Sequence, residues 1–195
     1  MNARPFEAGV CFPGDDVQEI NRRVVGYIRD PVFGEEIARL LGATQEVTQI
    51  IRSASQRGLE TAVHCRLPLV TFTDFLARAI VDRCDVRALI TPSRVRVLLR
   101  QFSLYVLASA RGLEREYVQA FFGLSPRMVD SLAGAALVRI EEISNGADMV
   151  LRLREGGEPR LWSEFLIGSR VDDGRASQIA VESAVLALLR LRRGG

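Results

Sequence analysis

The sequence predicts a mainly α protein built as two related helical halves, each with a helix-turn-helix-like unit and a short β-strand. Three observations lead there. Apolar residues recur at helical spacing along most of the chain, glycines and capped prolines cut those stretches into short helices, and one segment returns 81 residues later. With 195 residues, 48% of them hydrophobic and 26% charged, there is ample material for a packed core.

Taken in order, Asp15 or Asp16 caps a helix running to about Arg29, with Val17, Ile20, Val24, Val25 and Ile28 on one stripe. Asp30-Pro31 interrupts it. A second helix spans about Phe33 to Leu41 and stops at Gly42; Thr44 then caps a third, carrying Val47, Ile50, Ile51 and Ala54, which Gly58 weakens or ends. Arg66 to Phe72 is apolar and partly β-branched and reads as a short strand, and a helix from Thr73 to about Cys84 closes the first half.

Thr91-Pro92 is a helix-start signature for an apolar helix from Ser93 to about Ala110, broken by Gly112. Leu113 to Phe122 forms a short helix ended by Gly123, and Ser125-Pro126 opens another that reaches about Ala136. Leu137 to Ser144 adds a helical turn or two. Asn145-Gly146 is a turn, Met149 to Leu153 alternates like a strand, and Glu155 to Pro159 is a polar, glycine-rich loop. A last helix, Ala176 to about Leu191, is apolar on more than one face, which suits either the core or a seam with a second chain.

The repeat organises these elements. Setting Leu41 to Ile51 beneath Phe122 to Leu132 matches Gly42 with Gly123, Thr44 with Ser125, Val47 with Met128 and Ile51 with Leu132. The same offset pairs Ala54 with Ala135, Leu59 with Ile140 and Glu60 with Glu141. The expected division is residues 1–90 for the first repeat and 91–195 for the second, with the C-terminal helix. A short helix, a glycine, one residue, a Ser or Thr cap and a second helix is the layout of a helix-turn-helix. In the DNA-reading form, exposed residues near the start of the second helix reach base edges. The first half offers Thr44, Gln45, Glu46, Gln49, Arg52 and Gln56; the second offers Ser125, Arg127, Asp130 and Ser131. We take Thr44, Gln45, Gln49, Arg52, Ser125, Arg127 and Ser131 as the candidate DNA-binding residues. The same layout also serves as a plain packing element.

Other chemistry finds little support. Cys11, Cys65 and Cys84 have no CxxC spacing and His64 is the sole histidine, so neither a disulfide framework nor a zinc site is expected. Without a single lysine there is no P-loop, and His64 followed by Cys65 supplies no catalytic elbow. The expectation is a protein that is not an enzyme and has no cofactor or small-molecule substrate. The formal charge is only +2, but every basic side chain apart from His64 is arginine, a planar fork suited to phosphate, guanine or carboxylate. No apolar run approaches the roughly 18 residues of a bilayer span, and the start lacks a secretory layout, so a cytoplasmic location without membrane association is expected.

From Ser103 to Arg154 the chain resembles FlhD, a subunit of the bacterial flagellar master transcription activator. The resemblance is carried by Leu104-Tyr105-Val106-Leu107-Ala108, Phe121-Phe122-Gly123-Leu124-Ser125 and Met128-Val129-Asp130-Ser131-Leu132-Ala133. It continues through Ile140-Glu141-Glu142-Ile143 and the strand Met149 to Arg154, about a quarter of the chain. It implies an α-helical regulator that works in an oligomer, with a second subunit or with itself, on promoter DNA. The chain departs from that pattern in being longer and carrying the unit twice, as a tandem duplication would. The functional expectation is a DNA-binding transcription regulator subunit of activator type. The alternative is a non-enzymatic assembly factor, such as a secretion-apparatus accessory protein, in which the same helices only pack.

Overall fold

A computed structural model describes residues 14–65, 67–73, 93–113, 115–135 and 151–167. The described residues form eight helices and two strands. In chain order these are α1 (Gly14–Ile28), α2 (Gly34–Leu40), α3 (Gln45–Ser53), α4 (Gln56–Val63) and β1 (Val70–Phe72). Then come α5 (Ser93–Gly112), α6 (Arg115–Phe122), α7 (Pro126–Ala133), β2 (Leu151–Leu153) and α8 (Pro159–Ile167). The fold is mainly α, with one short strand pair among the described residues. The expected helices at Thr73–Cys84, Leu137–Ser144 and Ala176–Leu191 fall on residues outside this description, Thr73 excepted, which is not helical.

Local chemistry accounts for the punctuation. The apolar stripe of α1 is buried from Val17 to Ile28. Past it, the Asp30 carboxylate accepts the backbone N–H groups of Val32 and Phe33 and pairs with the Arg94 guanidinium. The Phe33 bond first, then Arg94 and then the Val32 bond, hold its pKa down at about 2. One expected helix is two. The helix that opens at Thr44 ends at Ser53, where Ala54 turns extended, and Ser55 caps α4 by accepting the N–H of Gly58. Gly58 therefore lies inside the first turn of a new helix and does not end the old one. The first strand is also shorter than Arg66–Phe72, because Asn21 claims the chain just before it. A further helix, α8, follows the loop that closes at Pro159, with proline as its first residue.

Asn21 is fully buried on α1. Its Nδ2 donates to the carbonyls of Cys65 and Leu67, both at 3.1 Å, and its Oδ1 accepts the N–H of Leu69 at 2.8 Å. An amide with a donor and an acceptor can clasp a non-helical segment from both sides, which no apolar residue of similar volume can do. The clasp delivers the chain from α4 into β1.

The strands pair antiparallel, with Val70 opposite Leu153, Thr71 opposite Arg152 and Phe72 opposite Leu151. The 81-residue offset of the repeat maps Val70 onto Leu151, Thr71 onto Arg152 and Phe72 onto Leu153. Thr71 thus pairs with its own counterpart while its neighbours exchange places, the signature of a two-fold relation through that pair. The offset also lays α1 on α5. Val17, Asn21, Val24, Val25 and Ile28 fall on Leu98, Phe102, Tyr105, Val106 and Ser109, all of them buried. These two helices pack on each other, and Arg23 donates to Gln101 at 2.8 Å while Arg94 reaches back to Asp30, so they run antiparallel.

One hydrophobic cluster runs through both halves. At its centre Phe72, Phe102, Phe122 and Tyr105 form a chain of ring contacts, with centroids 4.8 to 6.0 Å apart. α8 belongs to the second half by sequence but packs on α3 and α4 of the first, burying Trp162 and Leu166. Among the described residues no helix is long and apolar enough to cross a membrane.

Candidate nucleic-acid interface

Two helix-turn-helix-like units, α2–α3 and α6–α7, are built alike from the backbone up. Gly42 has φ +71° and Gly123 has φ +66°, the left-handed region that glycine enters without strain. In both, the residue after the glycine donates back five residues in the turn pattern that closes a helix. Ala43 N–H reaches Ala38 O at 2.9 Å, and Leu124 N–H reaches Gln119 O at 3.0 Å. Thr44 and Ser125 then stand extended, and their hydroxyl oxygens accept the N–H groups of Val47 and Met128, each at 3.3 Å. The inner faces match as well: Leu41, Val47 and Ile51 are buried where Phe122, Met128 and Leu132 are buried.

The outer faces differ. On α3 Gln45, Glu46, Gln49 and Ser53 are exposed, and Arg52 is half-buried. An open groove between α2 and α3 brings Gln45, Gln49 and Arg52 together with Arg39 and Glu35. Arg52 donates to Glu35 at 3.1 Å, but the Glu35 side chain is 85% exposed. A pair so wet holds about 0–1 kcal/mol, so phosphate or a base can take the guanidinium from it at little cost. On α7 Ser125, Arg127 and Asp130 are exposed and Ser131 is half-buried. Asp130 is engaged by Arg115 of α6, which also donates to Pro126 O. Arg127 has no ion-pair partner among the described residues.

The candidate residues therefore fall into two sets, one per unit. Thr44 and Ser125 spend their lone pairs on capping, which leaves the hydroxyl hydrogen to donate outward, a contact that suits phosphate better than a base edge. Gln45, Gln49, Arg52 and Arg127 have the reach to enter a groove; Ser131, partly covered, has less. Glu46, exposed at the start of α3, opposes phosphate. Gln56 of the first-half set opens α4, where its side chain donates to Glu60.

Two arginines escaped sequence reading. Arg39, three residues before Gly42, is exposed and lines the groove. Its place in the last turn before the glycine was a usable signal. Arg152 is exposed in the middle of β2, and a side chain placed on Gly42 would meet its Cβ at 3.9 Å. Alternation along the strand does put Arg152 opposite to Leu151 and Leu153; its nearness to the turn is a tertiary fact.

The sheet pins both turns crosswise. Leu41 O, the last carbonyl before Gly42, accepts the N–H of Leu153 in β2 at 2.6 Å. Phe122 O, the equivalent carbonyl before Gly123, accepts the Thr71 hydroxyl of β1 at 2.9 Å. Arg154 ties the ends together, donating to Pro68 O and to Phe121 O. Beyond β2, Thr44 N–H reaches Gly156 O at 2.9 Å, while Trp162 Nε1 donates to the Arg154 and Glu155 carbonyls.

Elsewhere, Cys65 is buried, which raises its thiol pKa, and His64 is an exposed helix end. Among the described residues no cluster of His, Cys, Asp and Glu could hold a metal ion. The chain matches no family model, no curated protein and no solved structure.

Proposed function

We propose that this protein is a DNA-binding subunit of a transcription regulator, FlhD-like in its second half and of activator type, acting on promoter DNA in an oligomer with itself or with a second subunit. The observation that carries the reading is the duplicated unit. Each copy has a left-handed glycine, a capped second helix and an outward polar edge that includes an arginine. Reading helices of such units present residues of this kind to the major groove, and surrounding arginines hold the phosphates. Nothing in that role calls for a reacting group or a cofactor.

The test is fluorescence anisotropy on duplex DNA across a salt series. Affinity should fall steeply as salt rises, because phosphate contacts release counterions. Arg127→Ala should weaken binding and relax the base preference at the position it reads. Arg52→Ala should weaken it while leaving thermal stability close to the parent, since its ion pair is solvated. Failure to retain any duplex at low salt would remove the reading.

A second reading, an assembly factor that packs against another protein, draws on the exposed apolar side chains Val32, Phe33, Val97, Leu104 and Tyr117. It predicts a protein partner recovered from cells with no DNA, and binding to that partner indifferent to Arg52 and Arg127.

A further inference from the structure

We propose that one copy of this chain reads duplex DNA as an internal pseudo-dimer, occupying two inverted half-sites of unlike sequence. The inference rests on the DNA-binding reading and adds the symmetry and stoichiometry of the target.

Three independent features place a two-fold relation between the units. The strand ladder pairs Thr71 with Arg152, its counterpart 81 residues on, and exchanges their neighbours. α1 packs antiparallel on α5, its counterpart at the same offset. The two turns are held crosswise, the first by β2 and the second by β1, through equivalent carbonyls at Leu41 and Phe122. Residues directly opposite in an antiparallel ladder share a face, so Thr71 and Arg152 look to the same side of the sheet. Thr71 there touches the end of the second turn and Arg152 lies against the first, which puts both turns beside one face. A symmetric dimer of helix-turn-helix subunits binds inverted half-sites because its two-fold matches that of the duplex. Here the two-fold is internal, and the helices it relates already lie in one chain.

The two reading edges are not the same. At equivalent positions α3 and α7 carry Gln45 and Pro126, Glu46 and Arg127, Gln49 and Asp130, Arg52 and Ala133. Glutamine pairs with the N6 and N7 of adenine, arginine with the O6 and N7 of guanine. The α3 half-site should therefore centre on adenine through Gln45 and Gln49, and the α7 half-site on guanine through Arg127. A true homodimer would be bound to read the same bases twice; this chain is not.

The experiment is selection of duplexes from a randomised pool with the full chain, followed by stoichiometry of the best duplex in sedimentation. Gln49→Ala and Arg127→Ala then repeat the selection, with thermal melts as a control on folding. We expect two different half-sites in inverted orientation, close together on the duplex and bound by one chain per duplex. Gln49→Ala should relax one half-site only and Arg127→Ala the other only, each lowering affinity for the selected duplex roughly tenfold. A lone half-site, a direct repeat, or two chains per duplex overturns the proposal while leaving DNA binding in place. Recovery of no duplex at all overturns both this inference and the function it rests on.

Discussion

Tyr105 is nine-tenths buried beside Phe122, and its hydroxyl takes no hydrogen-bond partner among the described residues. Burial pushes its pKa up to about 12. The sign follows from the neutral form being the one the interior tolerates. Below the ordinary value near 10 the group contributes its full share of stability, and that share is lost as pH rises toward 12. Tyr105→Phe removes an unsatisfied polar atom without opening a cavity, so stability at neutral pH should stay level or rise by up to about 1 kcal/mol. Urea titrations should also show a flatter decline in alkali. A loss of 2 kcal/mol or more would mean that the hydroxyl has a partner after all. At this scale the sequence was most legible where the chemistry is local. Gly42, Gly123, Thr44 and Ser125 do what their types and spacing predict, because a left-handed turn and a cap involve only neighbours within six residues. Asn21 was not legible. It reads as a polar interruption on an apolar stripe, and its partners lie more than 40 residues away.

Helix boundaries obey the same distinction. The break between α3 and α4 was missed because apolar spacing runs through Ala54 and Gly58 looked like a terminator. Ser55 carries the boundary by capping, and a buried glycine is compatible with a first turn. α8 was missed because a polar, glycine-rich loop precedes it and its apolar residues, Trp162 and Leu166, show their purpose only once α3 and α4 are beside them. The junction of α1 and α2 offers a sharp test of what positions these elements. Gly34 opens α2 with its N–H on Asp30 O, and a Cβ there would lie 2.2 Å from Ile28 O. Backbone cannot withdraw as a side chain can, so Gly34→Ala should cost about 3 kcal/mol. Gly26, exposed within α1, has nothing within 4 Å of the same added atom. Gly26→Ala should stabilise by about 0.5–1 kcal/mol, the helix gaining a residue that loses less backbone freedom on folding. Thermal melts of the two variants should move in opposite directions. Parallel shifts would mean that the approach of α2 to α1 is softer than this packing implies.

The halves were visible in the sequence as a repeat, yet nothing in a period of 81 says that equivalent strands pair with each other. That arrangement decides how the molecule should unfold. A two-stranded sheet is at best marginal alone, and here each half supplies one strand. The turn of the first unit hangs on Leu153, the segment before β1 is held by Arg154, and α8 buries Trp162 and Leu166 against α3 and α4. Cutting the chain between the repeats would therefore expose the core face of α1 and α5, unpair both strands and uncover α3 at once. The intact protein should show one cooperative transition with coincident midpoints by circular dichroism and by Trp162 fluorescence. Fragments 1–90 and 91–195 should each lack a cooperative transition when made alone, and should recover helix content together as a one-to-one complex. A first fragment that unfolds cooperatively by itself would make the repeats independent domains, and the two-fold contact between them an ordinary interface that one half can lose without the other unfolding.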